Sequence, residues 1–379
     1  MKKLVCIVIF LLLMFGNLLN AQDTILFKQQ LSLWMNYNPE SDLYIHSGAR
    51  YIPQLNFSFG LKNNQLLDFE ASANIFGSFN TNLSDSSQTD AKLKPYRAWM
   101  RFSGKQFELR AGLQKINFGS ATMLRPLMWF DEVDPRDPLK LTDGVWGMLG
   151  RYYFLNNANI WLWALYGNEK PRAYEFASRN TKYPEFGGRI QFPLTNSELG
   201  FSYHHQSIDT RPLGAQMQPL ASVSENKMGI DLKVDWHIGI WFEGVLSARN
   251  ADLGDFTNQE MLTIGADYTF GIGSGLYVIA EHLILSNDKK ALAFNQATNF
   301  TATSLNYPIG LFDNINAIFY YDWKNSSVYN FVNWQRQFNK YSLNLMAYWN
   351  PKQNYLPGQG NENVFFGGKG IQLMFIYNH

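Results

Sequence analysis

The chain has 379 residues, with 32 Lys and Arg against 31 Asp and Glu, and its net charge of +1 leaves no basic footprint for nucleic acid. Its one cysteine, Cys6, excludes a disulfide framework. Aromatic residues make up 16 % of the chain although mean hydropathy is only −0.24, a heavy load for a soluble domain.

Residues 1–21 read as a secretory signal peptide. Lys2 and Lys3 precede an apolar run from Leu4 to Phe15, and Ala21 offers a small residue for cleavage. The run is too short to span a bilayer as a helix, and no later stretch reaches the roughly 18 apolar residues that a spanning helix needs. Residues 22–379 are expected to form one domain.

From there the chain alternates apolar and polar residues with period 2, the signature of half-buried strands. Arg50, on an early strand, is expected to point inward with the lumen residues. In Pro95–Phe102, Tyr96, Ala98, Met100 and Phe102 share one face, which places Arg97 and Arg101 with Trp99 on the other. In the next strand Leu109, Ala111 and Leu113 face outward, so Glu108, Arg110 and Gln114 face inward.

Ser120–Gly144 is the longest connection. It holds Pro126, Pro135 and Pro138 together with Asp131, Glu132, Asp134, Arg136, Asp137 and Asp143. Its apolar patch from Leu127 to Phe130 is awkward for a solvated loop. Folding into the mouth of a barrel would bury the patch and project the turn with Asp131, Asp134, Arg136 and Asp137 across the lumen as a constriction. A cap packed on neighbouring loops is the alternative.

Parity next turns Arg151 inward, opposite Trp146, Met148 and Tyr152, and then Arg189. His204 and His205 lie on opposite faces of one strand and cannot jointly chelate a metal. From Met228 to Trp236 the inward positions are Asp231, Lys233 and Asp235. Glu243, Asp267 and Glu281 follow, so one wall is arginine-rich and the other carboxylate-rich. In the last strand Ile371, Leu373, Phe375 and Tyr377 share a face.

Short turns near Asn63-Asn64, Ser103-Gly104, Asn156-Asn157, Thr195-Asn196, Ile238-Gly239, Gly271–Gly273, Asp313-Asn314 and Asn339-Lys340 alternate with longer polar connections. Short inner turns and long outer loops define a transmembrane β-barrel. Polar lumen, apolar outer face and aromatic girdles also reconcile the composition. The expected fold is all-β, a single antiparallel barrel of about eighteen strands (16–18). Inward charge either orients a solute or braces the barrel; both readings stay open. Neither a nucleophile elbow, nor H-E-x-x-H, nor a phosphate-cradling glycine loop occurs, so no catalytic residue, metal or cofactor is expected.

The stretches LRAGLQKINFG, DPRDPL and LTDGVWGMLGRYYF resemble the alginate-export and related outer-membrane porin-like families over about residues 94–170. The resemblance implies a barrel of this size in a Gram-negative outer membrane, with Arg97, Arg101, Arg110 and Arg151 as lumen arginines. Alginate exporters pass an acidic polysaccharide; the acidic set from Asp231 to Glu281 departs from their uniformly basic conduit. The expected function is diffusion of a polar, anionic or hydroxylated solute, a small molecule or oligosaccharide, through a charged lumen. The rival is a barrel component of a secretion or surface-assembly complex with protein partners. The other expected partners are outer-membrane lipid and the barrel-assembly machinery, and homo-oligomerisation stays open.

Overall fold

The computed structural model describes residues 24–216, 218–352, 356–358 and 366–379; the signal peptide expected over 1–21 lies outside them. Nineteen strands are formed among the described residues. In chain order they are β1 Thr24–Tyr37, β2 Ile45–Leu61, β3 Gln65–Thr81, β4 Ser87–Ser103, β5 Phe107–Gln114, β6 Val145–Tyr153, β7 Asn159–Leu165, β8 Ser178–Arg179, β9 Glu185–Leu194 and β10 Ser197–Asp209. The second half comprises β11 Val223–Asp235, β12 Gly239–Arg249, β13 Asn258–Phe270, β14 Leu276–Asp288, β15 Thr298–Ile309, β16 Asp313–Asp322, β17 Ser327–Gln337, β18 Tyr341–Trp349 and β19 Lys369–Asn378.

Every long strand pairs antiparallel with its neighbours, and β1 pairs with both β2 and β19. The sheet therefore closes, leaving no edge with unpaired backbone groups. The two-residue β8 pairs only with the outer end of β10, so the wall itself has eighteen strands. Among the described residues no helix is long and apolar enough to cross a membrane. A closed sheet is the other way for a chain to satisfy its backbone in hydrocarbon.

Side-chain alternation sets the two faces. Leu33, Met35, Met100, Leu109, Met148, Leu162, Ile190, Met228, Ile264 and Leu373 are exposed on the outside. Their strand neighbours Ser32, Asn36, Leu149, Arg189, Asp231 and Gln372 are buried on the inside.

Two sequence expectations shift. The polar connection after β3, expected to be long, ends at Ser86, because β4 begins at Ser87 and pairs with the outer end of β3. A bulge between Ser72 and Ala73, opposite Tyr96, also breaks the parity of β4. Tyr96, expected on the outward face, is half-buried, with the Arg97 guanidinium stacked 4.0 Å above its ring.

Candidate functional site

The interior is organised by the connection between β5 and β6. Ile116, Phe118, Met123, Leu124, Leu127, Trp129 and Phe130 of this connection are buried in one apolar cluster. They pack there with Val245, Met261, Leu283, Phe300, Ile318, Tyr320, Phe331 and Met346 from the inner faces of β12–β18. The loop therefore leaves one wall and packs on the opposite one. Several of those strands are apolar on both faces, so their inner face would meet water unless covered. Each large side chain so covered contributes about 1.5–3 kcal/mol.

Two wall carboxylates fix the loop. Glu281 accepts the backbone N–H of Thr122 at 2.6 Å, Met123 at 2.9 Å and Leu124 at 2.6 Å, together with the Trp241 indole N–H at 3.1 Å. Glu243 accepts Ala121 N–H at 2.7 Å and Leu127 N–H at 3.2 Å. Thr263 donates its hydroxyl to the Leu124 carbonyl at 2.9 Å. Gly119 makes the approach feasible: its φ is +98°, and a Cβ there would lie 2.4 Å from the Glu243 carboxylate. Glu243 and Glu281, expected to face solute, are instead buried as caps for this loop.

The loop's own charges are braces as well. Asp131 is buried and accepts from Arg125 at 2.9 Å and Asn117 at 2.6 Å. Arg136 forms a bidentate pair with Asp134 and lies over the Phe331 and Phe366 rings at 4.7 and 5.3 Å. Asp137 accepts the Leu139 N–H, and burial pushes its carboxyl above the usual carboxylate range. The turn expected to project Asp131, Asp134, Arg136 and Asp137 across the lumen is thus folded into the apolar cluster. The reason is that guanidinium and rings stack on each other.

A second inward connection, 166–184 between β7 and β9, locks onto the first. Arg172 donates to the Phe130, Asp143 and Gly144 carbonyls, and Arg179 to the Trp129 carbonyl. Glu175 pairs with Arg179 at 2.9 Å and with Lys227. Burial acts to raise the Glu175 carboxyl, but Arg179 and Lys227 together hold it well below the usual range. His204 is fully buried on the inward face beside Glu185, its Nδ1 accepting the Trp163 indole N–H at 3.1 Å, while His205 on the other face meets Asn226. Period-2 reading placed these two histidines on opposite faces but could not supply their partners.

The arginines of β4–β6 form a different environment. Arg101, Arg110 and Arg151 converge on the Glu108 carboxylate at 3.8, 2.8 and 3.7 Å. Arg101 also pairs with Asp68 on β3 at 2.7 Å. Trp99 lies under Arg101 and Arg110, and Trp161 lies 3.8 Å beneath Arg151. Glu70 lies within the field of Arg97 and Arg110. The side chains of the three converging arginines stay partly exposed, at 30 % for Arg101, 15 % for Arg110 and 16 % for Arg151. Arg50, half-buried on β2, stacks between Trp34 and Phe76 at 5.8 and 5.1 Å.

Four further expected lumen contacts are closed off. Arg97 is buried and donates to the Tyr96 and Thr142 carbonyls. Gln114 is fully buried, donating to Arg110 and Gly147 carbonyls. Arg189 and Asp231 form a buried bidentate pair at 2.5 and 2.8 Å, with Phe118 of the loop over the guanidinium. Lys233 and Asp235, paired at 3.2 Å, sit at the exposed inner mouth, and Asp267 accepts the Tyr277 hydroxyl at 2.7 Å. The single facing acidic wall expected from the sequence is therefore not formed: its members divide between loop caps, an ion pair and the inner rim. Asp68, Glu70 and Trp161, which complete the arginine cluster, share the same inward parity, but nothing in their local sequence marks them as its partners.

The chain is similar in structure to OccAB4 of Acinetobacter baumannii, with a TM-score of 0.58 and 10 % identity over 96 % of this chain and 100 % of that one. It is similar to OccAB1 of the same organism at 0.55 and 8 % identity, covering 94 % and 96 %. It is also similar to an anion-selective porin from Comamonas acidovorans at 0.52 and 10 % identity, covering 94 % and 100 %. At such identity the likeness is one of fold: a porin-like closed barrel of eighteen antiparallel strands. No family model matches the chain, and no curated protein matches it in sequence.

Proposed function

We propose that this protein is an outer-membrane channel of a Gram-negative bacterium that passes a small polar solute carrying an anionic group. The solute would move along the arginine wall of β2 and β4–β6. The observation that carries this reading is the convergence of Arg101, Arg110 and Arg151 on the single carboxylate of Glu108, with all three arginine side chains partly exposed. Guanidinium keeps its charge at any physiological pH and presents a planar donor fork matched to carboxylate, phosphate or sulfate. The opposite wall is covered by the 115–144 and 166–184 connections, which narrows the lumen towards the arginines. A solute anion competes with Glu108 for the same donors, so binding is exchangeable rather than tight. The porin-like fold and the apolar outer belt support the location. The test is single-channel recording of purified protein in a planar bilayer. Stable open steps, with current reduced by millimolar sugar acids but not by the matching neutral sugars, are expected; no conductance would overturn the reading.

A further inference from the structure

Away from the lumen, a cavity of about 270 Å³ opens at the outer rim, lined by Asn295, Gln296, Ala297, Asn299, Trp323 and Lys324. Its position is unusual. On β15, Phe300, Ala302 and Ser304 are buried inward, so Asn299 and Thr301 face outward; on β16, Ile318, Tyr320 and Asp322 are buried inward, so Tyr321 faces outward. The 289–297 connection folds down over the outside of the wall. Leu292 N–H reaches Glu260 at 2.7 Å, and Asn295 N–H reaches Asp288 at 3.1 Å. Leu292 and Phe294 take positive φ values of 60° and 52° to do so, a strain of the kind that gathers at ligand sites. Trp323 is a fixed platform. Its indole N–H donates to Thr301 at 2.8 Å and its ring meets Tyr321 edge-on at 4.8 Å, yet the residue remains 56 % exposed. The Lys324 ammonium has no ion-pair partner among the described residues.

We propose that this cleft binds the anionic saccharide headgroup of a lipid in the outer leaflet. An amide-lined cleft aimed at the bilayer would leave carboxamides unsatisfied against acyl chains, at a cost of about 1–3 kcal/mol each, so it belongs at headgroup level. Each carboxamide offers two donors and an acceptor, matched to sugar hydroxyls. The indole face takes the C–H face of a pyranose, and Lys324 supplies a point charge for a phosphate. Phosphatidyl lipids without a sugar use the ammonium but not the indole or the amides.

The test titrates the full-length barrel in detergent with a bisphosphorylated diglucosamine lipid, with phosphatidylglycerol, and with free glucosamine 1-phosphate. Trp323→Ala, Lys324→Gln and the inner-rim control Trp236→Ala are compared. Both cleft variants lie in an exposed turn, and their heat-modifiable gel band checks the fold. The sugar lipid should bind wild type and the control alike and each cleft variant about tenfold more weakly. It should also bind more tightly than the other two ligands. Equal affinity of wild type and cleft variants, or phosphatidylglycerol binding as tightly as the sugar lipid, would overturn the site. Free glucosamine phosphate binding as tightly as the lipid would overturn the lipid as its source.

Discussion

Glu281, on the wall strand β14, accepts the backbone N–H of Leu124 at 2.6 Å, although Leu124 belongs to a loop launched from the nearly opposite strand β5. One carboxylate thus holds the loop across the lumen by Thr122, Met123 and Leu124 together. Glu281→Gln replaces half of that acceptor with a donor and strands buried N–H groups, each costing about 1–3 kcal/mol. Single-channel recordings should show larger, noisier conductance with an intact barrel. Quiet wild-type steps would mean that the apolar contacts of Leu127, Trp129 and Phe130 hold the loop without Glu281.

Arg136 and Arg101 both pair with carboxylates, but their surroundings differ. Arg136→Ala leaves Asp134 without its bidentate partner and opens space against Phe331 and Phe366. Breaking a buried pair in this way costs roughly 3–5 kcal/mol. The unfolding temperature read from the heat-modifiable band should fall while ion selectivity stays unchanged. A selectivity change in Arg136→Ala would return this residue to the solute path.

Glu175 gives the second inward loop its pH dependence. Its folded carboxyl lies well below the unfolded value near 4.3, because Arg179 and Lys227 outweigh burial. A depressed acid stabilises the fold above the unfolded value and loses that contribution as pH falls towards the folded one. The amides of 172–180 should therefore keep constant hydrogen-exchange protection from pH 8 to pH 5, and lose it progressively below about 4. Lys227→Met should move that loss to higher pH. Protection that disappears between pH 7 and 5 in wild type would point to another group.

Much of the wall was legible in the sequence, because a lipid-facing strand must alternate and a wholly antiparallel closed sheet needs an even number of strands. Parity at Arg97, Arg101, Arg110 and Arg151 gives the inward side directly. It fails at Tyr96, where one bulged residue shifts the register. Partners were not legible. Nothing local tells Glu243 that it meets Ala121, 122 residues away in sequence. The sequence does carry one signal of the inserted loop: strands β15–β17 hold Phe300, Ile318, Tyr320 and Phe331 on the inner face as well as apolar residues outside. Strands apolar on both faces in a water-filled barrel require an inserted loop.

Glu108 offers a sign-reversed test of the arginine wall. Glu108→Gln removes the carboxylate that three guanidiniums share and should raise anion preference and tighten sugar-acid binding, with the barrel still folded by its gel band. A shift towards cations in the same variant would mean that the arginines collapse once Glu108 is gone.

The most direct measurement is the reversal potential of the channel under a tenfold salt gradient, for wild type and for Arg101→Gln, Arg110→Gln and Arg151→Gln combined. The account predicts anion selectivity in wild type, shifted towards cations in the triple variant, with the barrel still folded by its gel band. A folded triple variant whose reversal potential equals that of wild type would contradict it and leave the three arginines as braces.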